Sequence, residues 1–98
     1  MVNAAGSWSG QIAQLAGLDV SVSPDRGTLI VFNHRFTSRV VNRLHKSSDG
    51  DIFVPHGSIT ILGTTSTPTD RPDNNTPTTE DVLRLLDIGE PLFPDLRS

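Results

Sequence analysis

The chain has 98 residues, a formal net charge of −3, no cysteine and 35% hydrophobic residues. Length allows one small domain with a core near the lower end of comfortable size. The charge has no basic run to neutralise phosphates, which argues against nucleic-acid binding. The missing cysteines exclude disulfide frameworks, thiolate metal sites and cysteine catalysis, and fit a cytosolic protein.

Only five residues are aromatic, Trp8, Phe32, Phe36, Phe53 and Phe93. That shortage predicts a hydrophobic core completed by partners outside the chain. No apolar stretch reaches membrane-spanning length.

Val2-Asn3-Ala4-Ala5-Gly6-Ser7-Trp8 reads as the end of a buried strand turning into a helix. Small residues at such a turn let a ligand lie against the backbone. The strand that should lead into it is not in the sequence, so the chain is expected to be a piece of a larger protein. Ser7 is predicted to cap a helix over about Trp8–Ala16, with Trp8, Ile12, Leu15 and Ala16 on its apolar face and Gly17 ending it.

Leu18–Val22 alternates as a short strand would, and Ser23–Gly27 reads as a turn. The apolar run Thr28–Phe32 predicts a strand buried on both faces. Asn33–Thr37 is loop-like, a short strand is expected around Val40-Val41, and Lys46–Gly50 reads as a turn. Asp51–Pro55 and Ser58–Thr64 form the best hairpin in the chain, joined by His56-Gly57.

Thr64–Thr78 is rich in Thr, Pro, Asp and Asn and predicts a long surface loop. A last helix is expected from Thr78 or Thr79. Thr78 and Asp81 approximate a capping box, Val82, Leu85 and Leu86 make its stripe, and Gly89 and Pro91 stop it. Leu92 and Phe93 should pack back onto it. The fold class expected is α+β, an antiparallel sheet flanked by an N-terminal and a C-terminal helix.

His34, His45 and His56 fall in unrelated local settings without metal-site spacing, and solvent-exposed or second-layer histidines are the expectation. Arg35, Arg39 and Arg43 repeat every four residues, yet Phe36 and Val40-Val41 favour a strand or loop with solvated charges. On a helix the same arginines would suit a phosphate or an acidic partner. Gly63-Thr64-Thr65-Ser66-Thr67 sets four hydroxyls at a strand end, either to hold a polar ligand or to satisfy turn backbone. Nothing pairs a nucleophile with a base, so no catalytic residue is assigned.

Four segments together resemble the large-subunit family of anaerobic glycerol-3-phosphate dehydrogenases, which are FAD-dependent. They are Val2-Asn3-Ala4-Ala5-Gly6-x-Trp8, Arg26-Gly27-Thr28-Leu29-Ile30, Asn42–Pro55 and Ile59-Thr60-Ile61-Leu62-Gly63-Thr64-Thr65-Ser66. The resemblance implies residues 1–18 in the flavin domain, with 19–98 in the antiparallel substrate domain and its following helix. It implies Ala4, Ala5, Gly6 and Trp8 along the FAD, and Thr64 and Thr65 near the substrate.

The implied reaction of the parent is oxidation of sn-glycerol 3-phosphate to dihydroxyacetone phosphate. Electrons would leave through other subunits to a membrane quinone, from a site at the inner face of the cell membrane. Leu29 stands where aerobic relatives carry a histidine, so that ligand role does not transfer. The family's first dinucleotide turn and its Ser-Gly-x-Arg-Pro segment are not in this sequence, which predicts an inactive piece open to self-association. Residue types alone also leave room for an oxidase of another hydroxy acid or amino acid, and for a non-catalytic binding module.

Overall fold

The computed structural model describes residues 1–43 and 52–97. The predicted turn at 46–50 and His45 lie outside the described residues. The fold is α+β, with two α-helices and antiparallel sheets among the described residues. Two compact units share the chain: Met1–Arg26 with Thr67–Asn75, and Gly27–Ser66 with Thr76–Ser98.

In the first unit a 3₁₀ turn, Gly6–Trp8, leads into helix α1, Ser9–Leu15. Ser7 lies inside the 3₁₀ turn and does not cap the helix; Trp8 is the N-cap, and no side chain bonds there. The expected apolar face is also reversed. Trp8, Ile12 and Leu15 are exposed, Leu15 at 85%, whereas Ala13 is buried. The reason is close approach. A Cβ on Gly10 would stand 3.1 Å from the Val20 carbonyl oxygen, so the small positions Gly10 and Ala13 face the returning chain.

Gly17, at φ +71°, closes α1 as expected. Residues 18–22 form no strand, because Val20–Val22 runs against the helix instead of pairing with a neighbour. The strand falls within the predicted turn: β1, Asp25–Arg26, pairs antiparallel with β6, Thr67–Pro68. β6 interrupts the segment read as a continuous loop. Thr69 N–H extends this pairing by donating to the Pro24 carbonyl at 3.0 Å.

The second unit holds a four-stranded antiparallel sheet made of β2 (Leu29–Phe32), β3 (Val41–Asn42), β4 (Ile52–His56) and β5 (Ile59–Gly63). Its order is β2-β5-β4-β3. The hairpin β4–β5 pairs His56 with Ile59, so its turn is Gly57-Ser58, one residue later than expected. Gly57 has φ +58° and Ser58 does not, the pattern of a type II′ turn.

Register places Ile30, Leu62, Phe53 and Val41 in one row across all four strands. That row faces helix α2, Thr79–Gly89, whose N-cap Thr78 and Asp81 form the predicted capping box. Phe53, Leu62, Leu85 and Leu96 make the buried core. All four phenylalanines join it through ring contacts, with Phe53–Phe93 edge-on at 4.8 Å and Phe36–Phe93 stacked at 5.7 Å. Gly89 does not stop α2 by a left-handed turn: it is the last helical residue, Glu90 is the C-cap, and glycine is needed there because a Cβ would meet Phe53, Leu62 and Leu96 within 3.2 Å.

The opposite face of the sheet is aliphatic and less covered. β2 is an edge strand and not the doubly buried strand predicted, since Leu29 and Val31 are each nearly 60% exposed. Both sides of β2 carry aliphatic residues, but α2 and the following 3₁₀ turn, Pro94–Arg97, cover only one. Phe53→Ala should remove a fully buried ring and cost about 3–5 kcal/mol, read as a lower denaturant midpoint.

Candidate functional site

The turn at the front of the first unit is built from local bonds. Asn3 accepts the Ala5 N–H on Oδ1 at 3.3 Å, and its side-chain amide donates to the Ser9 carbonyl at 2.9 Å. The Ser9 hydroxyl donates to the Gly6 carbonyl at 2.6 Å. Asn3 therefore spans the turn and holds Ala4–Ser7 in a tight bend. Gly6 has φ +56°, a region that favours glycine, and a Cβ there would meet nothing within 4 Å.

Ala4, Gly6 and Trp8 are exposed and Ala5 is half-buried. The bend thus presents backbone and two methyl groups, with one large ring beside them. These residues could meet a flat cofactor: nothing bulky stands over Gly6, and an indole face is available for contact. α1 has only seven residues and begins after the 3₁₀ turn, so its dipole adds little here. Trp8 is held at its edge, where the indole N–H donates to Asp73 Oδ1 at 2.9 Å.

The second unit carries the other motif residues. Gly27-Thr28 and Gly63-Thr64-Thr65 cross at close range. A Cβ on Gly27 would stand 2.7 Å from Thr64 Oγ1, and one on Gly63 would collide with Leu29. Thr28 N–H donates to Thr65 Oγ1 at 3.0 Å, and Thr65 N–H donates to the Thr28 carbonyl at 3.3 Å. The Thr64 hydroxyl is shared between the Thr28 and Thr65 carbonyls, at 3.3 and 3.0 Å.

The Thr28 hydroxyl donates to Asp81 Oδ2 at 3.3 Å. The same oxygen accepts the Thr78 N–H, so one carboxylate joins the cap of α2 to the sheet. Thr65 is buried and its hydroxyl is engaged by backbone, whereas Thr64 is exposed. Thr64 also borders a shallow apolar depression of about 170 Å³ with Leu29, Ile52, Val54, Ile61 and Gly63.

The candidate residues fall into two groups. Ala4, Ala5, Gly6 and Trp8 share the bend of the first unit; Thr64 and Thr65 share the crossing in the second. Sequence reasoning missed Asp73 and Thr28. Asp73 sits in a polar stretch with no periodicity, and its partner lies 65 residues away. For Thr28, the Gly-Thr steps on both segments were the available signal.

The other candidates are dispersed. His34 lies edge-on to Phe36 at 4.2 Å, and His56 ends β4. Arg35 donates to the Thr37 and Gly57 carbonyls, and residues 35–39 form no helix. Among the described residues no cluster of three His, Asp or Glu could hold a metal ion. No helix among them is long and apolar enough to cross a membrane.

All 98 residues match the family model described as DAO, FAD dependent oxidoreductase, and the chain belongs to that family. Within it, the chain is 43% identical over 99% of its length to the A-subunit of anaerobic glycerol-3-phosphate dehydrogenase from Haemophilus influenzae. It is 44% identical over 96% of its length to the corresponding A-subunit of Escherichia coli K12. An A1-subunit of the anaerobic enzyme from Haloferax volcanii is 43% identical over 76% of the chain. The chain spans 18% of the length of the first two relatives. No solved structure gives a significant match.

Thr65→Val would leave the buried Thr28 N–H without its acceptor and should cost about 1–3 kcal/mol, whereas Thr65→Ser should stay near wild type. Thermal melts of the two variants check this.

Proposed function

We propose that this chain supplies one flavin-contacting bend and part of the substrate-side sheet of an FAD-dependent dehydrogenase. Its reaction is oxidation of sn-glycerol 3-phosphate to dihydroxyacetone phosphate. The observation that carries the reading is the bend itself: an open Gly6 at positive φ beside a half-exposed indole, in a chain of this family. The identities of 43–44% to glycerol-3-phosphate dehydrogenase A-subunits support the choice of substrate.

FAD, when bound, accepts the hydride. The chain's own residues do the rest of the work assigned here. Ala4, Ala5 and Gly6 bring backbone against the cofactor without side-chain bulk, and Trp8 offers a ring face. The aliphatic face of the sheet, from Leu29 to Val54, excludes water beside the reacting carbon. Thr64 stands at the rim of that face, and its hydroxyl, whose proton is held by the Thr28 and Thr65 carbonyls, keeps lone pairs that can accept from a polyol hydroxyl. Thr65 holds Thr64 in place through Thr28.

Residues 1–18 belong in this reading to the flavin domain, and 19–98 to the substrate domain with its helix. Electrons pass to other subunits and a membrane quinone, with the assembly peripheral at the inner face of the cell membrane. The chain alone, with an uncovered aliphatic sheet face and an open β2 edge, self-associates.

The test is a chimera in which this chain replaces the matching stretch of the E. coli A-subunit. The chimera should purify with FAD and oxidise glycerol 3-phosphate, while the 98-residue chain stays colourless and scatters light as more than a monomer. A chimera that binds no flavin, or prefers 2-hydroxyglutarate or an amino acid, contradicts the reading.

A further inference from the structure

Trp8 is the single tryptophan of the chain, 44% exposed, on a three-residue turn that buries nothing. A ring so placed is only partly covered, and packing alone constrains its χ angles weakly. Its one side-chain hydrogen bond runs from the indole N–H to Asp73 Oδ1 at 2.9 Å. A carboxylate acceptor makes this a charge-assisted hydrogen bond, stronger than one between neutral groups.

The acceptor is itself anchored on both sides. Before it, the β1–β6 ladder and the Thr69 N–H bond to the Pro24 carbonyl pin the chain at 67–69. The Thr69 hydroxyl then donates to the Arg71 carbonyl at 3.2 Å. After it, Asn74 N–H donates to the Arg71 carbonyl at 3.1 Å and Asn75 N–H to the Asp73 carbonyl at 3.0 Å. The Asp73 carboxylate is therefore delivered by an ordered turn inside the same compact unit as the indole.

We infer that Asp73 is the positioning residue for Trp8: it holds the indole by its edge and so sets the ring face that meets the flavin. The inference rests on the flavin reading given above and extends it to a residue 65 positions away in the Thr/Pro/Asn-rich segment. Asp73 touches neither cofactor nor substrate in this role. It reduces the freedom that Trp8 would lose on binding, which is how preorganisation raises affinity.

Two measurements separate the tether from its consequence. In the 98-residue chain, which has one tryptophan and no tyrosine, emission reports Trp8 alone. Asp73→Ala should red-shift the emission and raise acrylamide quenching, and Asp73→Asn, which keeps an acceptor oxygen but not the charge, should fall between Asp73→Ala and wild type. In the E. coli chimera, Asp73→Ala should weaken FAD binding roughly 3- to 10-fold, the scale of one partly exposed hydrogen bond, while the FAD-free chimera stays folded with only a small drop in melting temperature.

Unchanged emission in Asp73→Ala overturns the tether. Changed emission with unaltered FAD affinity overturns the positioning role while leaving the bond. If the wild-type chimera binds no FAD, the flavin reading itself has failed and this inference falls with it.

Discussion

The crossing of Gly27-Thr28 with Gly63-Thr64-Thr65 is the constraint on which the second unit depends. Four hydrogen bonds meet there within a few ångströms, and two glycines are needed because side chains would collide. The crossing aligns β2 with β5, and through Thr28 it reaches the Asp81 carboxylate at the start of α2. A buried hydroxyl accepting a backbone N–H is costly to lose, because the donor it leaves has no water to turn to. Sheet and helix are thereby fixed in one relation, and the core row of Ile30, Leu62, Phe53 and Val41 closes between them.

Local chemistry was readable in the sequence wherever a short segment decides its own conformation. The capping box at Thr78 and Asp81, the positive φ of Gly17 and the β4–β5 hairpin are of that kind. The hairpin turn moved by one residue because Gly57 takes the first central position of the turn, and His56 stays in the ladder. The pairing of β1 with β6 was not readable. Two residues on each strand, separated by some 40 positions, leave no periodicity to detect.

Amphipathic patterning failed in an instructive way on α1 and β2. In both, the aliphatic side chains are real, but the covered face is the other one or only one of two. α1 turns its small residues inward because Val20 comes within reach of Gly10. β2 keeps Leu29 and Val31 outward because the described residues of its unit place helix on one side only. Apolar residues that a unit leaves uncovered are the surface on which a larger fold closes, and their position beside Thr64 is what ties the sheet to the proposed chemistry.

The bend at Ala4–Trp8 was legible from its small residues and glycine, but the end of a buried strand read at Val2 was not found: residues 1–5 form no strand and Val2 is 89% exposed. Of its supports, Asn3 acts through two local bonds, whereas Asp73 acts through one bond whose partner is set by tertiary structure and leaves no local signal. The doublet Thr64-Thr65 reads as two alike hydroxyls in sequence, yet burial gives them different tasks. The Thr65 hydroxyl accepts the Thr28 amide in a buried position, and the Thr64 hydroxyl donates to the Thr28 and Thr65 carbonyls from an exposed residue.

Hydrogen exchange at the Thr28 amide tests the central claim most directly. That N–H is buried and bonded to a side-chain hydroxyl across the crossing, so it should exchange among the slowest amides of the 98-residue chain. Exchange as fast as that of the exposed Ser58 amide in the β4–β5 turn would mean that the crossing does not hold the sheet, and the account would be wrong.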